Sequence, residues 1–328
     1  MLMSTGAEAA EKAIKIAKQA TKRDAVICYT GAFHGRTLMA MTLTSKIDYK
    51  LNCGPFAPEV YRLPLPNTYR YSNGLTEDEY VQQELKRLHE SGKNLVNPKN
   101  VAAIIIELVQ GEGGFTVAPQ AYIEGLRDFC DEHGIMLIFD EVQSGFARTG
   151  SWGAMDHYNV IPDLSTWAKS MGSGMPIATV IGKAEVMDAA APGTIGGTYI
   201  GNPVACAASL ATIQYIKDVK LNERGVEVGN ILRTRFEAMQ TKFPQIGDVR
   251  GLGAMMAIEF VKNGDPRQPD GDLCSKVVKG CAEQGLIIIS AGTYKNNIRV
   301  LSPLTISNDL LNKGLDIIEE EIRKATLS

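Results

Sequence analysis

Short apolar runs alternate with amphipathic stretches through the first part of the chain. Residues 101–106 and 135–139 are unbroken apolar runs of strand length. Residues 120–132 between them repeat apolar side chains at helical spacing and stop at Gly134. Parallel strands that are buried on both faces have such unbroken runs. The order strand, helix, strand is the βαβ unit of doubly wound α/β folds, so the sequence predicts a mostly parallel sheet.

Further segments of this part follow the same pattern. Three more strands are predicted at 25–29, 164–168 and 177–181, each a short apolar run next to loop residues. Residues 50–100 turn polar and contain Pro, Asn and Gly loop signals around a helix predicted at 77–89. We interpret this polar segment as an excursion over the large domain and assign no chemistry to it.

The last third of the chain has a different pattern, with longer helical stretches and isolated short strands. A long helix begins near residue 204. The elements predicted after it are a helix at 225–240, a turn and strand at 248–260, a helix at 273–284, strands at 286–290 and 298–301, and a helix at 308–324. This alternation is typical of a small α+β layer. We therefore predict two domains, a large one at residues 1–215 and a small C-terminal one at residues 216–328.

Composition narrows the class of protein. The 328 residues are 45% hydrophobic and carry a formal net charge of −3, which gives no electrostatic reason to bind nucleic acid or an acidic membrane. No apolar run approaches the roughly 18 to 20 residues of a membrane-spanning helix, and the first residues lack the layout of a signal peptide. The six cysteines show no C-x-x-C spacing. We therefore expect free thiols in the cytoplasm, without a disulfide framework or a metal cluster.

Two of the predicted strands end at ionisable side chains. Asp140 follows the run 135–139, and Lys169 follows the run 164–168. Ligands of open parallel sheets bind at the carboxyl ends of the strands, so this acid and this amine should face one site. Pyridoxal phosphate catalysis needs such a pair, because lysine forms an imine with the cofactor aldehyde and aspartate keeps the pyridine nitrogen protonated. Taken alone, each residue is more often a helix cap or a solvated side chain.

Three separated segments carry a family resemblance. They read LIFDEVQSGFARTG, DLSTWAKSMGSGMPI and GGTYIGNPVACAA, in this order along the chain. From about Ser4 to the C-terminus the sequence resembles the class III (ω-amino acid) aminotransferases, nearest to the 4-aminobutyrate aminotransferase type. The resemblance implies the pyridoxal-phosphate-dependent transferase fold type I, whose large domain has a mostly parallel sheet sandwiched by helices. It also leaves roughly a hundred N-terminal residues of the family without a counterpart.

The resemblance implies a set of cofactor contacts. Lys169 would hold pyridoxal phosphate as an internal aldimine, and Asp140 would contact the pyridine nitrogen, which makes them the catalytic pair. Phe33 stands where the family commonly has a tyrosine stacked on the ring. Thr198 matches a threonine that binds the cofactor phosphate of the partner subunit, so a homodimer is implied. The full set of implied cofactor contacts is Gly6, Ala7, Phe33, His34, Asp140, Val142, Gln143, Lys169 and Thr198.

The residues around Gly6 and Ala7 also have a physical reason to bind phosphate. Thr5 and Glu8 have the spacing of a capping box at the start of a helical run. The free N–H groups and the positive end of the dipole make a helix N-terminus a good anion site. The cap by itself predicts only a helix, and the phosphate contact is implied by the resemblance.

Four charged residues match substrate contacts of the family. Arg36 matches a position that binds a substrate carboxylate, for which its planar guanidinium is well suited. Glu107 and Glu112 correspond to acids near the substrate. Arg299 lies in an apolar strand, where its charge needs a partner. In the family, Glu112 pairs with Arg299 when no substrate carboxylate is bound, so Glu112 is a candidate gate.

The resemblance implies transamination, in which an ω-amino acid similar to 4-aminobutyrate donates its amino group and 2-oxoglutarate accepts it. Two alternatives stay open. The same scaffold supports pyridoxal-phosphate-dependent racemisation or epimerisation of amino acids. The second alternative is a catalytically impaired homologue. It stays open because the N-terminal part without a counterpart here contributes substrate contacts in the family. A dinucleotide-dependent enzyme is disfavoured, since no G-x-G-x-x-G follows a predicted strand.

Overall fold

A computed structural model describes residues 1–327 of the chain. The strands are β1 (Leu2–Met3), β2 (Ala25–Tyr29), β3 (Val60–Leu63), β4 (Val101–Ile106), β5 (Val109–Gln110), β6 (Thr116–Val117), β7 (Met136–Asp140), β8 (Leu164–Trp167), β9 (Ala178–Gly182), β10 (Ile246–Leu252), β11 (Met255–Phe260), β12 (Ile289–Ala291) and β13 (Asn297–Val300). The helices are α1 (Gly6–Thr21), α2 (Leu38–Leu43), α3 (Thr68–Tyr71), α4 (Glu77–Asn94), α5 (Gln120–His133), α6 (Ala184–Met187), α7 (Pro203–Asp218), α8 (Leu221–Lys242), α9 (Gly271–Glu283) and α10 (Asn308–Leu327). Within residues 1–327, none of these helices has the length and apolar character of a membrane-spanning segment.

The large sheet is mostly parallel, which confirms the predicted fold class. Its strands lie in the order β1-β9-β8-β7-β4-β2-β3. The strands from β8 to β3 in this order are parallel to one another. At the other edge, β9 runs antiparallel to β8, and β1 runs antiparallel to β9. Because β7 and β8 are parallel neighbours, the residues that follow them emerge side by side at the carboxyl ends of the strands.

Successive side chains of the central strands pack against opposite layers of helices. In β4, Ile104 and Ile106 lie in a core with residues of α4 and α5, whereas Ala103 and Ile105 lie in a second core with α1. Every residue of β4 is therefore buried. This two-sided burial explains why the strand appears in the sequence as an unbroken apolar run.

The second sheet is small and antiparallel, with the order β10-β11-β13-β12. Helices α8, α9 and α10 pack against it through a separate core that includes Phe236, Val277 and Ile322. This is the α+β arrangement that the sequence predicts. The boundary predicted between residues 215 and 216 falls inside α7, and the division into domains at that point stays a prediction.

Three strands differ from the sequence-based expectation. Strand β3 was not predicted, because an edge strand is only half-buried and its residues alternate less clearly. Strand β10 was predicted as a turn, since it carries the charged residues Asp248 and Arg250. The strand predicted at 286–290 begins later, at Ile289, because Ile287 is 89% exposed and pairs with no neighbouring strand among the described residues.

Candidate active site

A cavity of about 450 Å³ opens at the carboxyl ends of the parallel strands. Asp140 is the last residue of β7, and Lys169 follows the adjacent parallel strand β8 after Ala168. The side chains of Asp140 and Lys169 both line this cavity. The structure thus brings the predicted acid and amine together, and their roles stay a prediction.

The N-terminus of helix α1 forms another wall of this cavity. Oγ1 of Thr5 accepts the N–H of Glu8 at 3.2 Å, and Oε2 of Glu8 accepts the N–H of Thr5 at 3.1 Å. This capping box leaves the N–H groups of Gly6 and Ala7 without intrahelical acceptors. Both residues line the cavity. A Cβ added to Gly6 would lie 2.9 Å from Cγ1 of Val142, so this close approach of the backbone requires glycine.

Three hydrogen bonds fix the buried carboxylate of Asp140. Oδ2 accepts from Nδ1 of His34 at 2.6 Å. Oδ1 accepts from the N–H of Val142 at 3.0 Å and from the hydroxyl of Thr166 at 3.1 Å. These donors hold the carboxylate in one orientation and stabilise a charge that is costly to bury without partners.

His34 is hydrogen-bonded to Asp140 and also feels the charge of a second buried acid, Glu107. Burial alone would lower the pKa of His34, but the hydrogen bond to Asp140 and the charges of both acids raise it. Burial raises the pKa of Glu107 to about 7, although the charge of His34 opposes this. Glu107 accepts the N–H of Phe33 at 2.8 Å and that of Gly111 at 3.1 Å. Nε2 of His34 is buried and has no hydrogen-bond partner among residues 1–327, so a bound molecule could satisfy it.

The raised pKa of Glu107 predicts how stability depends on pH. The folded chain keeps this carboxyl protonated up to about pH 7, whereas the unfolded chain releases the proton near the ordinary pKa of 4.5. The folded state therefore binds more protons in this window, and Glu107 makes stability fall as the pH rises through it. Glu107→Gln, which cannot titrate, should reduce that fall by roughly 1 to 3 kcal/mol.

Urea unfolding of Glu107→Gln and of the wild type at about pH 5 and about pH 7.5 measures this difference. The exposed residue Glu59 supplies the control, and Glu59→Gln should leave the dependence on pH unchanged. If Glu107→Gln and the wild type lose stability equally between the two pH values, the pKa assigned to Glu107 is wrong.

Lys169 occupies an unusual backbone conformation directly after β8. Its φ of +47° lies in the left-handed region, which residues with a Cβ rarely adopt. A single 3-10 turn, Lys169–Gly172, follows in place of a regular helix, as the glycines and the proline of this segment predict. Burial lowers the pKa of the Lys169 amine, while the charges of Asp140 and Glu107 oppose this shift. A lowered pKa increases the share of neutral amine, which is the nucleophilic and basic form.

Arg299, on β13, reaches across to the loop after β5. Its Nη2 lies 2.6 Å from Oε1 of Glu112. Its Nη1 donates to the carbonyl oxygen of Gly111 at 2.7 Å and to Oε1 of Gln143 at 3.3 Å. Burial alone would raise the pKa of Glu112, but the charge and hydrogen bond of Arg299 outweigh it and lower the pKa. The ion pair expected from the resemblance is thus present in the fold.

The predicted site residues fall into three groups by location. Those that line the cavity are Gly6, Ala7, Phe33, His34, Asp140, Val142 and Lys169. A second group is linked through the hydrogen bonds around Gly111 and consists of Glu107, Glu112, Gln143 and Arg299. Arg36 and Thr198 are exposed and do not line this cavity.

Two further contacts of the site were missed by the sequence analysis. Thr166 lies directly opposite Asp140 in the parallel pairing of β8 with β7, so its contact could have been found by aligning the two strands. Tyr49 donates its hydroxyl to Oε2 of Glu112 at 3.0 Å. No motif or periodicity marks Tyr49, because this contact joins residues that are far apart in the sequence.

Comparison with known proteins gives the family. Residues 1–322 match the family Aminotransferase class-III. The chain belongs to the class III aminotransferases. Over 324 residues this aminotransferase is 45% identical to the probable 4-aminobutyrate aminotransferase of Bacillus subtilis (strain 168), and the match covers 98% of this chain and 74% of that protein. Over 321 residues it is 47% identical to the 5-aminovalerate aminotransferase of Pseudomonas aeruginosa, with the same coverage of 98% and 74%.

The fold of this aminotransferase also matches solved relatives. The taurine:2-oxoglutarate aminotransferase of Bifidobacterium kashiwanohense, solved with pyridoxal phosphate and glutamate, superposes with a TM-score of 0.90 at 28% identity. That match covers 98% of this chain and 74% of the other. It confirms the predicted fold type I, and the family match confirms that the chain is an aminotransferase. Class III aminotransferases depend on pyridoxal phosphate and move an amino group from a donor to an oxo acid.

Proposed function

We propose that the chain binds pyridoxal phosphate beside Lys169 and Asp140 and transfers the amino group of an ω-amino acid to 2-oxoglutarate. The observation that carries this proposal is that an amine, a carboxylate and a helix N-terminus line a single cavity of about 450 Å³. These groups match, in order, the aldehyde, the pyridine nitrogen and the phosphate of the cofactor.

The phosphate end of the cofactor fits the N-terminus of α1. The N–H groups of Gly6 and Ala7 are not used within the helix, and they would donate to the phosphate oxygens. Thr198 of a second copy would complete this site in the homodimer that we propose. The exposed apolar side chain next to Thr198 supports an interface there, since Tyr199 is 80% exposed.

The ring end of the cofactor fits the groups around Asp140. A carboxylate has about four acceptor positions, and Asp140 uses three of them for protein donors. The remaining position would accept the protonated pyridine nitrogen. Phe33, His34 and Val142 line the cavity and would contact the ring, and Gln143 would contact its phenolic oxygen. When bound, the cofactor supplies an electron sink for the carbon that loses its proton.

Lys169 would have two tasks. Its Nζ would hold the cofactor covalently, and as a free amine the same Nζ would move the proton at the substrate carbon. The burial that lowers its pKa favours the neutral amine, which both tasks need. No other residue that lines the cavity within residues 1–327 is a lysine.

The charged residues beyond the cavity would select the substrates. Arg36 would bind the distal carboxylate of an ω-amino acid, while Glu112 neutralises Arg299. With 2-oxoglutarate, a second carboxylate would displace Glu112 and bind Arg299 as a planar bidentate pair. Glu107 would lie near the reacting groups. The relatives that are named for 4-aminobutyrate and 5-aminovalerate support an ω-amino donor.

A panel of amino donors tests the proposed reaction. Purified chain, loaded with pyridoxal phosphate, is mixed with 2-oxoglutarate and one donor, and glutamate formation is followed. We expect turnover with 4-aminobutyrate or 5-aminovalerate and at least about tenfold less with L-alanine, which has no distal carboxylate for Arg36. Turnover with α-amino acids only would refute the assignment of an ω-amino donor.

We also propose that the protein works in the cytoplasm. All cysteines of residues 1–327 are free. Burial raises the pKa of the Cys28 thiol to about 11 and that of Cys274 to about 12. These groups therefore stay protonated thiols, which suits a reducing compartment.

A further inference from the structure

Tyr49 contacts Arg36 and also Glu112, the partner of Arg299. The proposed function assigns a substrate carboxylate to each of these two arginines. Tyr49 ends a short 3-10 turn, Ile47–Tyr49. Its hydroxyl donates to Oε2 of Glu112 at 3.0 Å, and the centre of its ring lies 4.8 Å from Cζ of Arg36. Phe33 packs edge-on against the same ring, with the ring centres 5.2 Å apart. Tyr49 thus touches the partner of one arginine and the guanidinium of the other.

Both carboxylate oxygens of Glu112 are occupied as a result. Oε1 lies 2.6 Å from Nη2 of Arg299, and Oε2 accepts from Tyr49. The backbone of Glu112 is held as well, because its carbonyl oxygen accepts the N–H of Gly292 at 2.9 Å. A rotation of its side chain would therefore separate Glu112 from Arg299 while this backbone contact stays in place. Such a rotation moves both oxygens together, so it also breaks the bond to Tyr49.

The contact between Tyr49 and Arg36 depends on the ring and not on the hydroxyl. A guanidinium over an aromatic face is attracted by the ring itself. Arg36 has no carboxylate partner within residues 1–327, so it is available to bind an anion. Burial and the charge of Glu112 raise the pKa of Tyr49, and its hydroxyl stays a protonated donor at neutral pH. The two contacts of Tyr49 can therefore be separated by removing the hydroxyl alone.

We propose that Tyr49 is a positioning residue that controls which substrates the pair of Glu112 and Arg299 admits. The inference rests on the proposed function. The Tyr49 hydroxyl stabilises the paired state, in which Arg299 is neutralised. A molecule with one carboxylate binds Arg36 and leaves the pair intact. A dicarboxylate must displace Glu112 from Arg299, so it binds the state in which the two residues are unpaired. When that unpaired state is less populated, the apparent affinity for the dicarboxylate is lower.

The substitution Tyr49→Phe tests this role, because phenylalanine keeps the ring against Arg36 and loses only the hydroxyl. Glutarate and valerate are suitable probes, since both have five carbons and no amine, and they carry two carboxylates and one. Their affinities for the cofactor-loaded full chain are measured by isothermal titration calorimetry. We expect Tyr49→Phe to bind glutarate about 3 to 10 times more tightly, the effect of one hydrogen bond, and to bind valerate within about twofold of the wild type.

Tyr61→Phe is the matched control. The Tyr61 hydroxyl also donates to a glutamate, Oε2 of Glu59 at 2.9 Å, but neither residue lines the cavity. This control should change neither affinity. The role of Tyr49 is overturned if Tyr49→Phe leaves the glutarate affinity unchanged or lowers it, or if glutarate and valerate change in parallel.

The substitution Glu112→Gln tests whether the effect of Tyr49→Phe on glutarate affinity depends on the pair of Glu112 and Arg299. In that background, Tyr49→Phe should change the glutarate affinity by less than about twofold, because both substitutions act on the same paired state. An undiminished effect would overturn the role of Tyr49 at Glu112.

The donor panel distinguishes this inference from the proposed function. A chain that binds both probes as expected but transfers no amino group refutes the reaction alone. A chain that transfers amino groups while Tyr49→Phe leaves glutarate binding unchanged refutes the role of Tyr49 alone.

Discussion

Replacement of Lys169 by alanine is expected to lower kcat/KM for transamination by at least about 10³-fold. The reason is that the substitution removes both the group that attaches the cofactor and the base that moves the proton. No second lysine lines the cavity within the described residues, so no neighbour can take over. Initial rates of glutamate formation from 2-oxoglutarate and 4-aminobutyrate measure the effect.

Lys183 provides a matched control for this substitution. Lys183 directly follows strand β9, much as Lys169 comes after strand β8. Because β9 is antiparallel to β8, the two strands end on opposite sides of the sheet along the strand direction. Nζ of Lys183 lies 2.7 Å from Oδ1 of Asp163, and neither residue lines the cavity. Lys183→Ala should keep its rate within about twofold and lose at most about 1 kcal/mol of stability, because the Lys183 side chain is partly exposed and Asp163 keeps its ion pair with Arg127. Equal losses of rate in the two variants would refute a special role for Lys169.

Replacement of Asp140 by asparagine is expected to lower kcat/KM by about 10²- to 10³-fold, as the removal of one fixed electrostatic partner typically does. Asparagine keeps the size of the side chain and one acceptor oxygen. It removes the negative charge that favours a protonated pyridine nitrogen, and it removes the main influence that raises the pKa of His34. The same rate assay, together with thermal unfolding, separates lost turnover from lost folding.

Asp163 is the matched control for Asp140. It is also buried, and it lies just before β8, at the other end of the same strand pair. Its oxygens accept from Nη1 of Arg127 at 2.9 Å and from the N–H of Leu137 at 2.8 Å. Asp163→Asn should lower the free energy of unfolding by about 1 to 3 kcal/mol, while the folded enzyme keeps its rate within about twofold. A loss of rate in Asp163→Asn as large as in Asp140→Asn would contradict a direct role of Asp140.

The central part of the fold was predictable from the sequence because its strands are buried on both faces. Strand Val101–Ile106 was located to the residue, since water-exposed positions do not interrupt it. The antiparallel direction of β9 was not predictable, because direction depends on which edge the chain returns to. Strand β10 was missed because its charged residue Arg250 finds partners only in three dimensions, including Oε2 of Glu259 at 2.7 Å.

The candidate site was predictable where one local motif carries the chemistry. Asp140 and Lys169 each end an apolar run, and strand pairing then places them in one cavity. The contact of His34 with Asp140 could not be predicted, because the resemblance implied only a cofactor contact for His34. Tyr49 was also not recognised, since its contact with Glu112 joins segments with no shared pattern.

Covalent trapping tests the central claim most directly. The full chain is loaded with pyridoxal phosphate, reduced with borohydride and digested, and the modified peptide is identified by mass spectrometry. We expect a single modified residue, Lys169, and no modified peptide from Lys169→Ala. A modification on another lysine, or none on the wild-type chain, would contradict the proposed function.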